Sequence, residues 1–453
     1  MQDLEFPFWD MEYDGGNEVV IKQYKGSQRI VVVPFGILLT KDQDRMLEFL
    51  SKDSLEEYLE SLEFESIWKA TETVCADVTG IAESAFEGNS TVEEIWLPAN
   101  TLREIGPSAF HSCEKLRRIA FYNANAYRKQ IQYDTEGENA ILVSRNPYDL
   151  VEAEPELLTE LASGVFSLCE SLEAFKIPRN VQVIGDGCFR GCRRLAKINL
   201  PDGLTIIGQK AFSGCGSIRD LHVPDTVEII GEEAFAECSS LRKMSLPDSV
   251  KELKEGMLYY CGKLEEVQLP ACITEVPAAF LRGCASLRKV TLPENVEKIN
   301  DWSFANCPSL REVNLPHGLK SIGAAAFRGC GSLAGIEIPD DVKEIGGFAF
   351  CECESLEECS LPKGIRIVES GLFKDCRKLK SVEIPEGVTK ILQAPFDGCV
   401  RLKKIRIPET IEKVDSGAFR GTSLDRLFLP HSMEYEDMMR FGLDYIVVDV
   451  EWY

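Results

Sequence analysis

Seventeen cysteines and four histidines are the side chains of widest chemical reach in this 453-residue sequence. Eleven of the cysteines, Cys169, Cys192, Cys215, Cys238, Cys261, Cys284, Cys307, Cys330, Cys353, Cys376 and Cys399, fall on one series with a step of 23 residues. A column of thiols one step apart can hold soft metal ions or form cross-links. Against that stands the neighbour each thiol keeps. Three residues before each lies a large apolar residue: Phe166, Phe189, Phe212, Phe235, Leu258, Leu281, Phe304, Phe327, Phe350, Phe373 and Phe396. Reduced cysteine behaves as a small hydrophobe and is among the most buried residue types, so the series reads first as packing. Parallel, in-register thiols also rarely reach the dihedral angle of a disulfide. Cys75, Cys188, Cys272, Cys351 and Cys359 fall off the series. The closest pair, Cys351-x-Cys353, has no second pair and no nearby histidine to complete a tetrahedral zinc set.

His111, His222, His317 and His431 are too scattered to form a motif. No glycine-rich phosphate loop, nucleophile elbow or H-E-x-x-H zinc motif occurs. Carboxylates are abundant, yet none stands out as a catalytic pair. The expectation is a protein without catalytic residues, metal or cofactor; an enzyme or metal protein is a remote alternative, requiring a site assembled from spatial neighbours.

The elements that must position these side chains repeat with the same step. Prolines recur every 23 residues from Pro178 to Pro408, each preceded by Ile, Leu or Val. One unit reads Leu195-x-x-Ile198-x-Leu200-Pro201-x-x-Leu204-x-x-Ile207-Gly208-x-x-Ala211-Phe212-x-x-Cys215. Ile198 and Leu200 alternate as in a short strand with one buried face. Pro201 has no N–H to donate and closes the strand. Gly208 suits a tight corner, after which Ala211 and Phe212 point inward again. A unit this short cannot bury its apolar face alone, so successive units must stack into one continuous core.

The pattern extends upstream through Phe86, Phe110 and Cys113, and downstream to Phe419, where Thr422 takes the cysteine position. Between Cys113 and Cys169 it is broken, and residues 121–165 read as an irregular turn with an insertion, a hairpin through Ile141–Val143 and Leu150–Val151. Residues 1–75 read as an N-terminal cap, with an insertion near 40–66 that looks helical. There Ser54 and Glu57 make a capping-box pattern, and Leu55, Tyr58, Leu59 and Leu62 an apolar stripe. Such a helix can shield the first turn or dock a partner; shielding is the plainer role. Residues 431–453, with Met438, Met439, Phe441 and the Tyr445–Val448 run, read as a C-terminal cap.

The I/V-x-x-I-G-x-x-A-F-x-G-C core and the L-x-x-I-x-L/I-P strand resemble the BspA-type leucine-rich repeats over roughly residues 76–430. The opening from Gly16 to Pro34 also looks like that family's starting hairpin. The resemblance implies an α/β repeat fold: a leucine-rich-repeat solenoid of 23-residue turns, with a parallel β-sheet on one face and a cap at each end. It also implies a surface or secreted protein that binds host or microbial ligands. Two departures are the insertion after Pro34 and the absence of a secretion signal, since no basic segment followed by an apolar run opens the sequence. On the visible sequence a cytoplasmic location is expected; a cell-surface or secreted one follows if a signal was removed or export is non-classical.

One column of the strand, expected to face solvent, runs Asn199, His222, Ser245, Gln268, Thr291, Asn314, Glu337, Ser360, Glu383 and Arg406. This polar stripe is the candidate ligand face, although solvated strand positions are polar in any case. Beside it, Asp220, Lys243, Glu266, Lys289 and Glu312 alternate in sign, as cross-strand pairs that hold register. The net charge of −24 argues against sequence-independent binding of nucleic acid or anionic membranes. No run of apolar residues is long enough to span a bilayer. The favoured function is therefore a binding protein presenting a solenoid face to a protein or glycan, in the manner of a surface adhesin. The alternative is an intracellular scaffold for protein–protein interaction. Ligand identity and oligomeric state have no signature in the sequence.

Overall fold

The computed structural model describes residues 2–5, 9–13, 18–33, 36–39, 46–48, 74–124, 151–415, 417–433, 435–440 and 449–453. The chain divides into two compact units, Met1–Ile218 and Arg219–Tyr453. Both are built from the repeat.

In the unit from Leu195 to Cys215, every residue expected inside is buried, including Leu195, Ile198, Leu204, Ile207, Phe212 and Cys215. The strand Lys197–Asn199 turns Ile198 inward and leaves Lys197 and Asn199 exposed. A second, two-residue strand, Ile206–Ile207, follows Leu204 and carries the next inward side chain. The return arc consists of tight turns rather than a helix. Two residues in it, four apart, take left-handed backbone angles: Lys210 (φ 55°) and Gly214 (φ 77°) here, Ala325 and Gly329 in a later turn. They bend the chain so that alternate N–H groups point along the stack. Trp302, Phe304 and Asn306 thus donate to the carbonyls of Ala324, Ala326 and Arg328 one turn on, at 2.6–2.9 Å. A buried arc without regular secondary structure would otherwise leave these donors unpaired.

In the first unit, Ile30–Val32, Glu94–Pro98, Arg118–Tyr122, Ala174–Lys176 and Lys197–Asn199 form a five-stranded parallel sheet. The corner strands Glu160–Leu161, Val183–Ile184 and Ile206–Ile207 pair in parallel, each 23 residues from the next. The N-terminal end departs from a simple starting hairpin. Gln2–Glu5, Trp9–Tyr13 and Glu18–Tyr24 form an antiparallel meander, and Glu18–Tyr24 then pairs in parallel with Val74–Ile81. Ile30–Val32 joins the other sheet, so the segment Glu18–Val32 spans one turn of the solenoid. Trp9 and Tyr24 pack on each other and on Phe86 at 4.8–5.9 Å, closing the aromatic column. Within the insertion expected to be helical, Met46–Glu48 is a strand paired with Gly36–Leu39. The Leu55–Leu62 stripe lies outside the described residues. So does the Ile141–Val143 arm of the expected hairpin. Where the chain returns, the Asn123 and Ala153 N–H groups donate to the carbonyls of Val151 and Phe121, and Glu152 bridges Tyr122 antiparallel.

In the second unit the strands Lys243–Ser245 and Glu266–Gln268, Lys289–Thr291 and Glu312–Asn314, and Glu358–Ser360 and Ser381–Glu383 pair in parallel and in register. The corner strands Glu275–Val276, Lys298–Ile299, Ser321–Ile322 and Glu344–Ile345 form a second ladder. Phe304, Phe327, Phe350, Phe373, Phe396 and Phe419 stack nearly parallel, with ring centroids 5.2–6.0 Å apart and tilts of 12° or less. At the corner Gly346 permits the closest backbone approach: a Cβ there would lie 2.4 Å from the Ala324 nitrogen. The closing cap adds the helix Tyr435–Arg440, with Met438 buried, and the strand Asp449–Trp452 parallel to Arg426–Leu429.

Candidate functional site

The ten residues of the polar strand column are all exposed. Asn199, in the first unit, sits opposite Lys176. In the second unit the register runs in pairs, with Ser245 opposite Gln268, Thr291 opposite Asn314 and Ser360 opposite Glu383, whereas His222 and Glu337 lie outside the strands in which they were expected. The positions are not equivalent. Asn314 accepts the N–H of Leu292 at 2.8 Å and donates to the Leu292 carbonyl at 3.2 Å, so it clamps the preceding turn. The Ser245 hydroxyl donates to the Gln268 side chain at 3.1 Å. Arg406 lies 3.6 Å over the ring of Tyr453 and belongs to the closing cap. His222, Thr291, Glu337, Ser360 and Glu383 make no side-chain hydrogen bond among the described residues and present their polar groups outward.

The alternating column resolves into two discrete ion pairs, Lys243–Glu266 at 2.9 Å and Lys289–Glu312 at 2.6 Å. All four side chains are well exposed, so the pairs hold register and add little stability.

The cysteine series has a role beyond filling space. Thiols along the series reach back to the carbonyl of the large apolar residue one turn earlier. Cys192 donates to Phe166 at 3.1 Å and Cys215 to Phe189 at 3.1 Å in the first unit. Cys307 reaches Leu281 at 3.2 Å and Cys376 reaches Phe350 at 3.1 Å in the second. At the last position Thr422 bonds instead to Phe419 of its own turn, at 2.7 Å. Burial pushes the Cys261, Cys307 and Cys399 thiols up to about 12. The sixteen cysteines from Cys113 to Cys399 are free thiols; Cys272 is partly exposed and the others are buried. Thiolate is the reactive form, so these thiols are inert while the chain is folded. A colorimetric thiol assay near pH 8 is expected to label Cys272 quickly and the series only after denaturant is added. Rapid labelling of Cys307 in the folded chain would contradict the burial. Among the described residues no three His, Cys, Asp or Glu side chains come together to hold a metal ion.

Two features escaped sequence reasoning. One is a groove of about 730 Å³ across the corner strands, between Lys298 and Glu369. Its charged lining is balanced, with Lys298, Lys343 and Arg366 against Asp301, Glu344 and Glu369. The other is an aromatic and guanidinium cluster on the return arc. The Arg282 guanidinium lies 4.8 Å from the Trp302 ring and 5.6 Å from Tyr259, Arg328 lies 5.8 Å from Trp302, and Tyr259 meets Tyr260 edge-on at 4.3 Å. The signal in the sequence was a break in a column: Trp302 stands where the neighbouring turns have Ala279 and Ala325.

Parallel strands at a 23-residue step, a leucine or isoleucine core and a tight return arc define a leucine-rich-repeat solenoid. The chain belongs to the BspA-type leucine-rich-repeat family: that family's model, a repeat region of six copies, matches over residues 53–134, 159–287, 205–334, 274–399 and 320–442. Among solved structures, a leucine-rich repeat protein from Bacteroides ovatus is similar at 20% identity, with 100% of each chain covered and a TM-score of 0.53. The pneumococcal vaccine antigen PcpA is similar at 16% identity, covering 100% of this chain and 98% of that one, with a TM-score of 0.56. At these identities the likeness concerns the fold. No curated protein matches the chain in sequence. No helix among the described residues is long and apolar enough to cross a membrane.

Proposed function

We propose that the chain is a non-catalytic binding protein that presents the polar strand column to a protein or glycan ligand. The observation that carries this reading is the column itself. In the second unit, exposed polar groups recur once per turn, six of them on in-register strand pairs and His222 and Glu337 on the strandless stretches of their turns. Among the described residues the side chains of His222, Thr291, Glu337, Ser360 and Glu383 make no hydrogen bond. Such a face offers a ligand repeated hydrogen-bonding groups on a rigid frame, which lowers the ordering cost of binding. Membership of a leucine-rich-repeat family supports interaction as the role, and the adhesin-like use is what the BspA-type resemblance implies.

A second reading, an intracellular scaffold, draws support from the free thiols, because reduced cysteine is the norm in the cytosol. Protease shaving of intact native cells separates the two: digestion with a cytosolic control spared favours the adhesin, and protection until lysis favours the scaffold.

The face itself is tested by Thr291→Arg combined with Glu337→Arg. Both side chains are exposed and unbonded, so the thermal midpoint should stay within about 0.5 kcal/mol of equivalent stability. On arrays of extracellular-matrix proteins and glycans, the ligands retained by the unmodified chain should be lost by the variant. Identical binding profiles for the two would place the contact elsewhere.

A further inference from the structure

The left-handed positions of the return arc hold glycine, alanine or a polar residue in most turns, but in the second unit three hold large aromatics, Tyr260, Trp302 and Phe348, and the first two lie beside Arg282. Trp302 has φ 61° and Tyr260 φ 54°. The flanking turns fill the Trp302 position with Ala279 and Ala325 and the Tyr260 position with Glu237 and Gly283, all at positive φ. The fold therefore does not require an aromatic at either place, and a bulky side chain in this conformation is strained. Strain that packing does not explain points to function.

The tyrosine ring is nevertheless accommodated deliberately. Tyr260 lies against Gly283, where a Cβ would come within 2.7 Å of the ring, and it stays 44% exposed. Arg282 is set between Tyr259 and Trp302. Its Nε is buried without an acceptor, and among the described residues no carboxylate pairs with it. Arg328, at the far side of Trp302, is by contrast closed off by Glu352 at 2.9 Å. The stacking fixes the Arg282 plane and leaves its terminal amino groups as the donors an outside acceptor can reach, in the two-pronged geometry a carboxylate matches.

We propose that Tyr260, Arg282 and Trp302 form a binding site for an acidic sugar, independent of the strand column. The sugar carboxylate takes the Arg282 amino groups while its pyranose ring packs on the exposed tyrosine. A pyranose carries a flat C–H face and a carboxylate on one rigid frame, and so fits a fixed guanidinium flanked by rings with little ordering cost. An acidic peptide holds its carboxylates on flexible stems and offers no flat face of this kind. From Tyr260 to Trp302 the site spans two turn steps, about 10 Å at sheet spacing, which suits a short oligosaccharide.

The full chain should be titrated with trigalacturonate and with sialyllactose, followed by tryptophan fluorescence and by calorimetry, with maltotriose and triglutamate as controls. Saturable binding of at least one acidic sugar is expected, with maltotriose and triglutamate at least tenfold weaker. Arg282→Gln and Trp302→Ala should each weaken binding tenfold or more and leave the thermal midpoint unchanged, since alanine already occupies the Trp302 position in both flanking turns. His222→Ala should bind normally, which separates this site from the strand column. Failure of both acidic sugars to bind, or full binding by Arg282→Gln, overturns the proposal. Equal or tighter binding of triglutamate also overturns it and assigns the cluster to an acidic peptide.

Discussion

Replacing Phe350 with alanine is expected to destabilise the second unit by about 3–5 kcal/mol, the cost of emptying a large, fully enclosed site. The ring is completely buried and stacks at 5.6 Å on Phe327 and 5.7 Å on Phe373. Removing it leaves a void that both neighbours line. Collapse is resisted because the backbone of each turn is hydrogen-bonded to the next, as Phe350 N–H is to Leu372 at 3.0 Å. The Phe350 carbonyl survives the substitution and still accepts the Cys376 thiol, so the loss reports packing rather than hydrogen bonding. In a repeat array, stability is the sum of turn and interface contributions, and this change weakens two adjacent interfaces. Urea unfolding followed by circular dichroism should show the loss, with amide exchange fastest on either side of residue 350. Gln268→Ala, on the exposed column, should change stability by less than about 0.5 kcal/mol. A silent Phe350→Ala beside an unfolding Gln268→Ala would invert the assignment of inside and outside.

The second large effect is expected from alkaline pH. The thiols of Cys261 and Cys307 are raised by burial from 9.0 to about 12. In the unfolded chain they ionise near pH 9; in the folded chain they stay protonated. Between those values the unfolded state binds fewer protons, so stability falls as pH rises. It is fully present below about pH 9. Above that, each such thiol removes about 1.4 kcal/mol per pH unit until its folded value is reached. Two thiols in one cooperative segment double the slope, and the unit carries more, so unfolding is expected well before pH 12. Urea midpoints measured from pH 7.5 to 10.5 should drop steeply above 9. Cys307→Ala separates this cause from lysine and tyrosine titration. It should lower stability at pH 7.5 through lost packing and the lost bond to Leu281, and flatten the alkaline slope by about one thiol's share. An unchanged slope in that variant would remove the thiols as the cause.

Much of this architecture is legible in one dimension because the repeat makes it so. When every turn meets copies of itself 23 residues away, a column of phenylalanines or leucines in the sequence is a column in space. The strand at Lys197–Asn199, the corner at Gly208 and the inward Phe212 follow from that periodicity alone. The ends are less legible because they repeat nothing. Glu18–Tyr24 and Ile30–Val32 have the alternation of a hairpin, and each strand finds a different sheet instead, since the apolar edge of the first turn must be covered on both arcs.

Inside versus outside, then, was determined by residue type and a constant step, through the cost of leaving an apolar face in water. What those residues do once placed was decided only by tertiary structure. Cys376 bonding to the Phe350 carbonyl, Asn314 clamping Leu292 and Arg282 lying between Tyr259 and Trp302 are cross-turn contacts. They depend on rotamer, backbone angle and the reach from one turn to the next. A sequence column records which residues are neighbours; it carries no information on which atoms meet.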